Sequence, residues 1–275
     1  MKLFTHSLRL QLLALLLMFS VGVNAQTANP NPSVNEVFKI AFSAYQQGNY
    51  DLAIKNYDLA LQIDQSKSYL YYNRALCLKA MGNTSKALSD FRVANDLKPT
   101  AEAYYQIGLV SYEKGDLEAA LEQFEAAKTI KEDVERMNFL MGMIYYRNNR
   151  FEESLKCFYT FTERVKNYAD AYYYRGLSEA KVGKYGDAIV SFKFAMMYKN
   201  NDWKLYYKMY EIYLAMNDKK NALYSLSMVI ELGEKKADFY EERARLYLDI
   251  GDTFKYDEDM ATAKSIKAST ASLSR

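Results

Sequence analysis

The chain has 275 residues, with 36 Lys and Arg against 34 Asp and Glu and a formal charge of +2. That balance offers no basic stripe to displace counterions from a nucleic acid, so nucleic acid is not an expected partner. The single histidine, His6, lies near the N-terminus, which excludes Ser-His and Cys-His catalysis and histidine metal sites from the rest of the chain.

Residues 1–25 read as a targeting segment. Lys2 and Arg9 give a basic start, Leu10 to Val23 is almost wholly apolar, and Val23-Asn24-Ala25 supplies small side chains for cleavage. The apolar run is short for a spanning helix, which needs about 20 residues. A cleaved secretory signal is the expectation, with no transmembrane span left after cleavage. The periplasm is the first expected destination, and secretion or outer-membrane association the alternatives. Cleavage removes Lys2 and Arg9 and takes the formal charge from +2 to 0. Residues 26–33 are polar and carry Pro30 and Pro32, which predicts a disordered lead.

From residue 34 onward a pattern returns about every 34 positions. Gly48 to Gly82, Gly142 to Gly176, Ala53 to Ala87 and Ala188 to Ala222 are each 34 apart. Seven units follow, over residues 34–67, 68–100, 101–134, 135–168, 169–202, 203–236 and 237–270. Each has a turn near its middle, centred on Gly48, Gly82, Gly115, Asn149, Gly183, Asn217 or Gly251. Gly and Asn are the residues that best tolerate the left-handed backbone ending a helix, so each unit is predicted to be helix, tight turn, helix. In the second unit Tyr71, Ala75 and Leu78 form one apolar stripe, and Ala87, Phe91 and Ala94 another. Pro99 ends that unit, and Thr100 is placed to cap the next helix. Cys77 and Cys157 fall two repeats apart, too far for a disulfide, and read as small packing residues.

These residues resemble the tetratricopeptide repeat (TPR) family, of exported bacterial type. The likeness rests on Tyr71, Ala75, Ala87, Phe91, Ala94 and Pro99 in unit two, on Tyr104, Ile107-Gly108, Ala120, Phe124 and Ala127 in unit three, and on Tyr172, Gly176, Ala188, Phe192 and Ala195 in unit five. Ala41, Ala53, Tyr57 and Ala60 repeat it in unit one. It implies an all-α, right-handed superhelical solenoid of about seven helix-turn-helix repeats over residues 34–270. Large residues at Phe161, Tyr210 and Tyr256 break the small-residue pattern, and the sequence predicts wider helix spacing in units four and six. The second helix of unit seven is polar, as an end cap requires, and residues 271–275 are expected to fray.

The resemblance also implies that the first helices line a concave binding face. Its positions here are Phe38, Phe42, Tyr45, Tyr69, Tyr72, Asn73, Tyr105, Gln106, Tyr112, Phe139, Tyr146, Arg147, Tyr173, Tyr174, Tyr207 and Lys208. Tyr gives large contact area at low rotamer cost, with a hydroxyl that can bond a peptide backbone. Phe38 and Phe42 stand where some family members carry Lys and Asn to clamp a C-terminal carboxylate, so that clamp is not expected. The reading is a non-enzymatic scaffold or adaptor of the cell envelope that binds a protein or peptide partner, with no cofactor and no metal. A glycan or cell-wall binding module is the alternative, since Tyr faces also stack on sugar rings. Self-association into a homo-oligomer is a third reading.

Overall fold

The computed structural model describes residues 33–131, 134, 136–199, 202–233 and 235–273, and every regular element among them is an α-helix. The chain divides into two compact units, one ending at Ile130 and one beginning at Lys131. The first unit holds α1 (Val34–Gln46), α2 (Tyr50–Ile63), α3 (Ser68–Ala80), α4 (Thr84–Leu97), α5 (Ala101–Glu113) and α6 (Leu117–Ile130). The second holds α7 (Met137–Arg147), α8 (Phe151–Arg164), α9 (Ala169–Lys181), α10 (Tyr185–Tyr198), α11 (Trp203–Ala215), α12 (Lys219–Leu232), α13 (Ala237–Asp249) and α14 (Thr253–Leu273). The helices pair in sequence, α1 with α2, α3 with α4 and so on to α13 with α14, and within each unit every pair packs on the next.

The turns dictate the pairing. Gly48, Gly82, Gly115, Gly183 and Gly251 have φ between 74° and 83°, while Asn149 and Asn217 reach 57° and 56°. All seven turn centres therefore occupy the left-handed region that only Gly, and less readily Asn, adopts at low cost. The next residue then reaches back to close the helix, as when the Asn83 amide donates to the Leu78 carbonyl at 2.8 Å. On the far side of the turns, Asn49, Asp116, Asp218 and Asp252 cap the second helices by accepting from the amides of Leu52, Ala119, Asn221 and Lys255. Thr100 caps α5 as its position predicts, accepting from the Ala103 amide at 3.1 Å.

Close packing inside each pair follows a small residue and a ring 16 positions later. The series is Ala41 and Tyr57, Ala75 and Phe91, Gly108 and Phe124, Gly142 and Phe158, Gly176 and Phe192. All five rings are fully buried. A Cβ built at Gly108, Gly142 or Gly176 would lie 2.6, 2.9 or 2.8 Å from its ring, so in these three repeats only Gly fits without a shift. The sixth repeat reverses the order, with Tyr210 opposite Leu226. Both are buried in one cluster with Val229, Ile230 and Phe239. The large Tyr210 is thus seated in the core beside a residue smaller than the rings that stand at this position in the other repeats. Phe161 is likewise absorbed, in a cluster with Phe139, Phe158 and Ala171.

Three arginines immediately before the small residue build polar joints that the sequence analysis did not single out. The Arg74 guanidinium donates to Asp90 at 2.6 and 2.7 Å and to Asp58 at 2.6 Å. These partners lie 16 residues either side of it, one on α2 and one on α4. Arg243 repeats the geometry with Asp259 at 2.8 Å and Ser227 at 3.3 Å. Arg175 has Ser191 where an acid would stand, and the acid comes instead from Glu179 on its own helix, at 3.0 Å. Glu179 is fully buried and also accepts from Tyr159 at 2.8 Å and Ser191 at 2.6 Å. Charges taken out of water survive only with such saturation.

Two boundary expectations need correction. Ser33, placed with the disordered lead, is the N-cap of α1, and it forms a reciprocal box with Glu36 through bonds of 3.3 and 2.7 Å. Residues 271–273, placed with the fraying tail, belong to α14, which continues to Leu273, with the Ser269 and Thr270 hydroxyls bonded to the carbonyls four residues back. The expectations for residues 1–32 and 274–275 lie outside the described residues. Cys77 and Cys157 are both buried and free, and burial pushes the Cys77 thiol up to about 11.

Candidate functional site

In each unit the first helices carry aromatic residues at a fixed offset from the core rings. Phe38, Tyr72, Tyr105, Phe139 and Tyr173 each lie 19 residues before the buried ring of their own repeat. Each sits on that ring, with centroid distances of 6.1, 5.5, 5.8, 5.8 and 6.0 Å. The core ring therefore fixes the rotamer of the first-helix ring, and a pre-set ring loses little freedom on binding. In repeat six the core ring is replaced by Leu226, and Tyr207 leans on Tyr210 and Phe239 at 5.7 and 5.6 Å.

Accessibility at these positions differs from the sequence reading in two places. Tyr105 is 4% exposed and Phe139 is 7% exposed, so both belong to the core and offer no face to a ligand. The Phe139 ring is enclosed by Phe158, Phe161, Tyr168 and Tyr174. Phe42 and Arg147 are exposed, and the remaining predicted positions are half-buried with part of each side chain in water.

In the first unit the face is a run of rings. Phe42 stacks on Phe38 at 5.8 Å, Tyr45 lies 6.2 Å from Phe42, and Tyr69 meets Phe38 edge-on at 5.0 Å. Asn73 is turned onto its own helix, donating to the Tyr69 carbonyl at 2.7 Å, so its amide is engaged locally. Gln106 accepts from Lys79 at 3.3 Å, and Lys79 also pairs with Glu113 at 3.3 Å. Tyr112 completes the set, half-buried near the end of α5. The polar groups of this stretch are thus largely satisfied within the protein, and its rings are what remains to be contacted.

The second unit couples its rings to charge. Tyr146 packs on Phe151 and Tyr174 at 5.5 and 6.0 Å, and Tyr174 lies 5.3 Å from Tyr173 and stacks on Phe158 at 5.9 Å. Lys208 pairs with Glu211 at 2.8 Å. Burial pulls the Lys208 ammonium down, but the Glu211 carboxylate outweighs it and leaves the group above its ordinary value. Burial raises the Tyr146 and Tyr173 hydroxyls, and the Lys208 charge opposes part of that rise. Both phenols are therefore protonated donors across the neutral range. Beyond them, burial raises the Glu242 carboxyl, whose Oε2 is enclosed without a hydrogen-bond partner.

Among the described residues no group of three or more His, Cys, Asp or Glu is placed to hold a metal ion, and no helix is long and apolar enough to cross a membrane. Profiles described as "TPR repeat" and "Tetratricopeptide repeat" match residues 43–82, 68–100, 101–134 and 139–192. Among curated relatives, "DnaJ homolog subfamily C member 3" of Gallus gallus is 30% identical over 122 residues, 44% of this chain and 24% of the relative. "Photosystem I assembly protein Ycf3" of Cyanophora paradoxa is 35% identical over 101 residues, 33% of this chain and 58% of the relative. The alignments thus span less than two thirds of either relative. Two solved structures show the same fold. The C-terminal part of a TPR repeat-containing protein from Cytophaga hutchinsonii aligns with a TM-score of 0.60 at 20% identity, covering 83% of this chain and 94% of that one. YrrB, described as a TPR protein with an unusual peptide-binding site, aligns with a TM-score of 0.60 at 20% identity, covering 64% and 91%.

Proposed function

Since the chain belongs to the tetratricopeptide repeat family, we propose that it is a non-enzymatic scaffold that binds a protein or peptide segment on its Tyr-rich first-helix face. The carrying observation is the set of first-helix rings braced 19 residues ahead by the core, at 5.5 to 6.1 Å, with Phe38, Tyr72 and Tyr173 still partly in water. Rigid amphipathic rings with a polar tip bind extended backbone with little ordering cost. The similar proteins include a photosystem I assembly protein and, among solved structures of the same fold, a TPR protein with an unusual peptide-binding site, which agrees with a role in holding other chains.

We place the mature protein in the cell envelope, on the strength of the basic, apolar and small-residue order of residues 1–25. Intact mass of the protein recovered from its native host tests this, with a start after Ala25 expected. The binding reading is tested by crosslinking in that host and identification of the captured proteins. Tyr72→Ala, Tyr146→Ala and Tyr173→Ala together should abolish a specific capture while far-UV circular dichroism stays unchanged. Capture that survives the triple variant counts against the face.

A further inference from the structure

Between α9 and α11, the first-helix face of the second unit opens into a cavity of about 350 Å³. Leu177 and Ile212 give it an apolar floor, and Tyr146, Lys181, Lys208 and Glu211 give it a polar wall. The wall holds two ammonium groups against one carboxylate. Glu211 neutralises Lys208 at 2.8 Å. Lys181 has no ion pair among the described residues; its ammonium rests 6.0 Å from the Phe151 ring centroid. Arg147, 34 residues earlier in the same register, is exposed and also without an ion pair among them. The stretch therefore carries uncompensated positive charge beside an apolar floor.

The first unit shows that this is no general property of the repeat. Gln46, Ala80 and Glu113 stand at the shared register of Arg147 and Lys181, and Lys39, Asn73 and Gln106 at that of Lys208. Its Lys79 is already engaged by Glu113 and Gln106. These positions cancel in charge across the first unit, whereas the three repeats around the cavity carry Arg147, Lys181 and Lys208 there with no acid, the second unit's acids at these registers, Glu242 and Asp249, belonging to the last repeat. Charge complementarity then specifies what the basic cavity accepts.

We infer that this cavity takes the side-chain carboxylate of an Asp or Glu adjoining an apolar residue in an extended segment of the partner protein. The inference rests on the first-helix face being the binding face. The apolar side chain covers Leu177 and Ile212. The carboxylate accepts from Lys181, and the Tyr146 hydroxyl, a protonated donor, supplies a second bond. A charge-assisted bond of this kind is about twice as strong as a neutral one. Because the contact is to a side chain, the partner's C-terminus is not required, in keeping with Phe38 and Phe42 at the positions of a carboxylate clamp.

Fluorescence anisotropy with the full chain tests this, using labelled peptides of about a dozen residues, the length of an extended recognition segment. One carries a Leu-Glu pair in a Gly-Ser flank with an amidated C-terminus. Others carry Leu-Gln or Leu-Lys in the same flank, and a fourth carries Leu-Gln with a free C-terminal carboxylate. The Leu-Glu peptide should bind about tenfold more tightly than Leu-Gln, a difference of roughly 1.4 kcal/mol. Leu-Lys should be weakest, and Lys181→Gln, which leaves the Lys208–Glu211 pair in place, should erase the preference. Equal binding of Leu-Glu and Leu-Gln, a preference that survives Lys181→Gln, or a preference for the free C-terminus overturns this inference alone. Binding of no peptide overturns both it and the reading it rests on. Circular dichroism of the Lys181→Gln variant establishes that the lysine was removed from a folded chain.

Discussion

The two compact units solve one packing problem with different side chains. In the first unit every small residue faces a ring, Ala41 with Tyr57, Ala75 with Phe91 and Gly108 with Phe124, and a single arginine ties three helices through Asp58 and Asp90. In the second unit the frame is kept but its contents are exchanged. Tyr210 and Leu226 swap sizes, and the acid that joins Arg175 moves from the neighbouring helix to Glu179 on its own. The repeat therefore accepts more than one pair of sizes and more than one source of acid at a joint, provided the contact is filled and the buried charge is paired. The first-helix faces, which carry no such constraint, are where the units diverge, one neutral and aromatic, the other aromatic and basic.

Breaking the polar joints should give the largest effect. Arg175→Met leaves Glu179 fully buried with only Tyr159 and Ser191 as partners, and should cost about 3–5 kcal/mol in chemical denaturation. Arg74→Met strips the buried Asp90 of both bonds it accepts from Arg74 and should cost a similar amount, the half-exposed Asp58 adding little. A loss under about 1 kcal/mol at either site would mean that its joint does not hold the helices together.

The size exchange gives the next effect. Tyr210→Gly with Leu226→Phe restores the pairing seen at Gly176 and Phe192. A double-mutant cycle should show the pair less destabilised than the sum of the single changes by about 2 kcal/mol. Strict additivity would show that Tyr210 and Leu226 do not share one packing volume. At the turns, Gly82→Ala forces an alanine to φ 79° and should cost about 1 kcal/mol in either thermal or denaturant unfolding.

The smallest effect depends on pH. Burial raises the Glu242 carboxyl above its ordinary 4.5, so the folded state holds that proton more tightly than the unfolded chain. Its favourable contribution is complete below the ordinary carboxylate range and disappears as pH rises through the raised value. Glu242→Gln should therefore raise Tm at neutral pH, by no more than about 2 °C for a domain of this size, and the gain should vanish near about pH 4. A gain that persists unchanged in acid would assign the effect to something other than ionisation.

Much of the frame was legible in the sequence because its key positions admit few residue types. A left-handed turn centre takes Gly or Asn, and all seven carry one of them. The contact opposite Phe124, Phe158 or Phe192 leaves no room for a Cβ, so Gly there marks the helix crossing. Accessibility was less legible. Tyr105 and Tyr72 occupy the same register in adjacent repeats, yet one is in the core and the other partly in water. That difference is set by the neighbours that close over each ring, which no local pattern records. The arginine joints were missed because an isolated charge in an amphipathic helix reads as solvated surface. A signal was present in the spacing, since Asp58, Arg74 and Asp90 stand 16 apart, as do Ser227, Arg243 and Asp259. The exchange at Tyr210 was half visible, the large residue being noted and its smaller partner Leu226 not.

On the proposed reading the first-helix face, rather than the outer face of the second helices, holds the partner. Site-specific photo-crosslinking in the native host addresses it most directly, with the photoreactive residue placed at Tyr72 or Tyr173 on the one face and at the exposed Arg92 or Lys156 on the other. Crosslinks to a common protein from Tyr72 and Tyr173, with none from Arg92 or Lys156, are the predicted result. Crosslinks to that protein from Arg92 and Lys156 alone would contradict it.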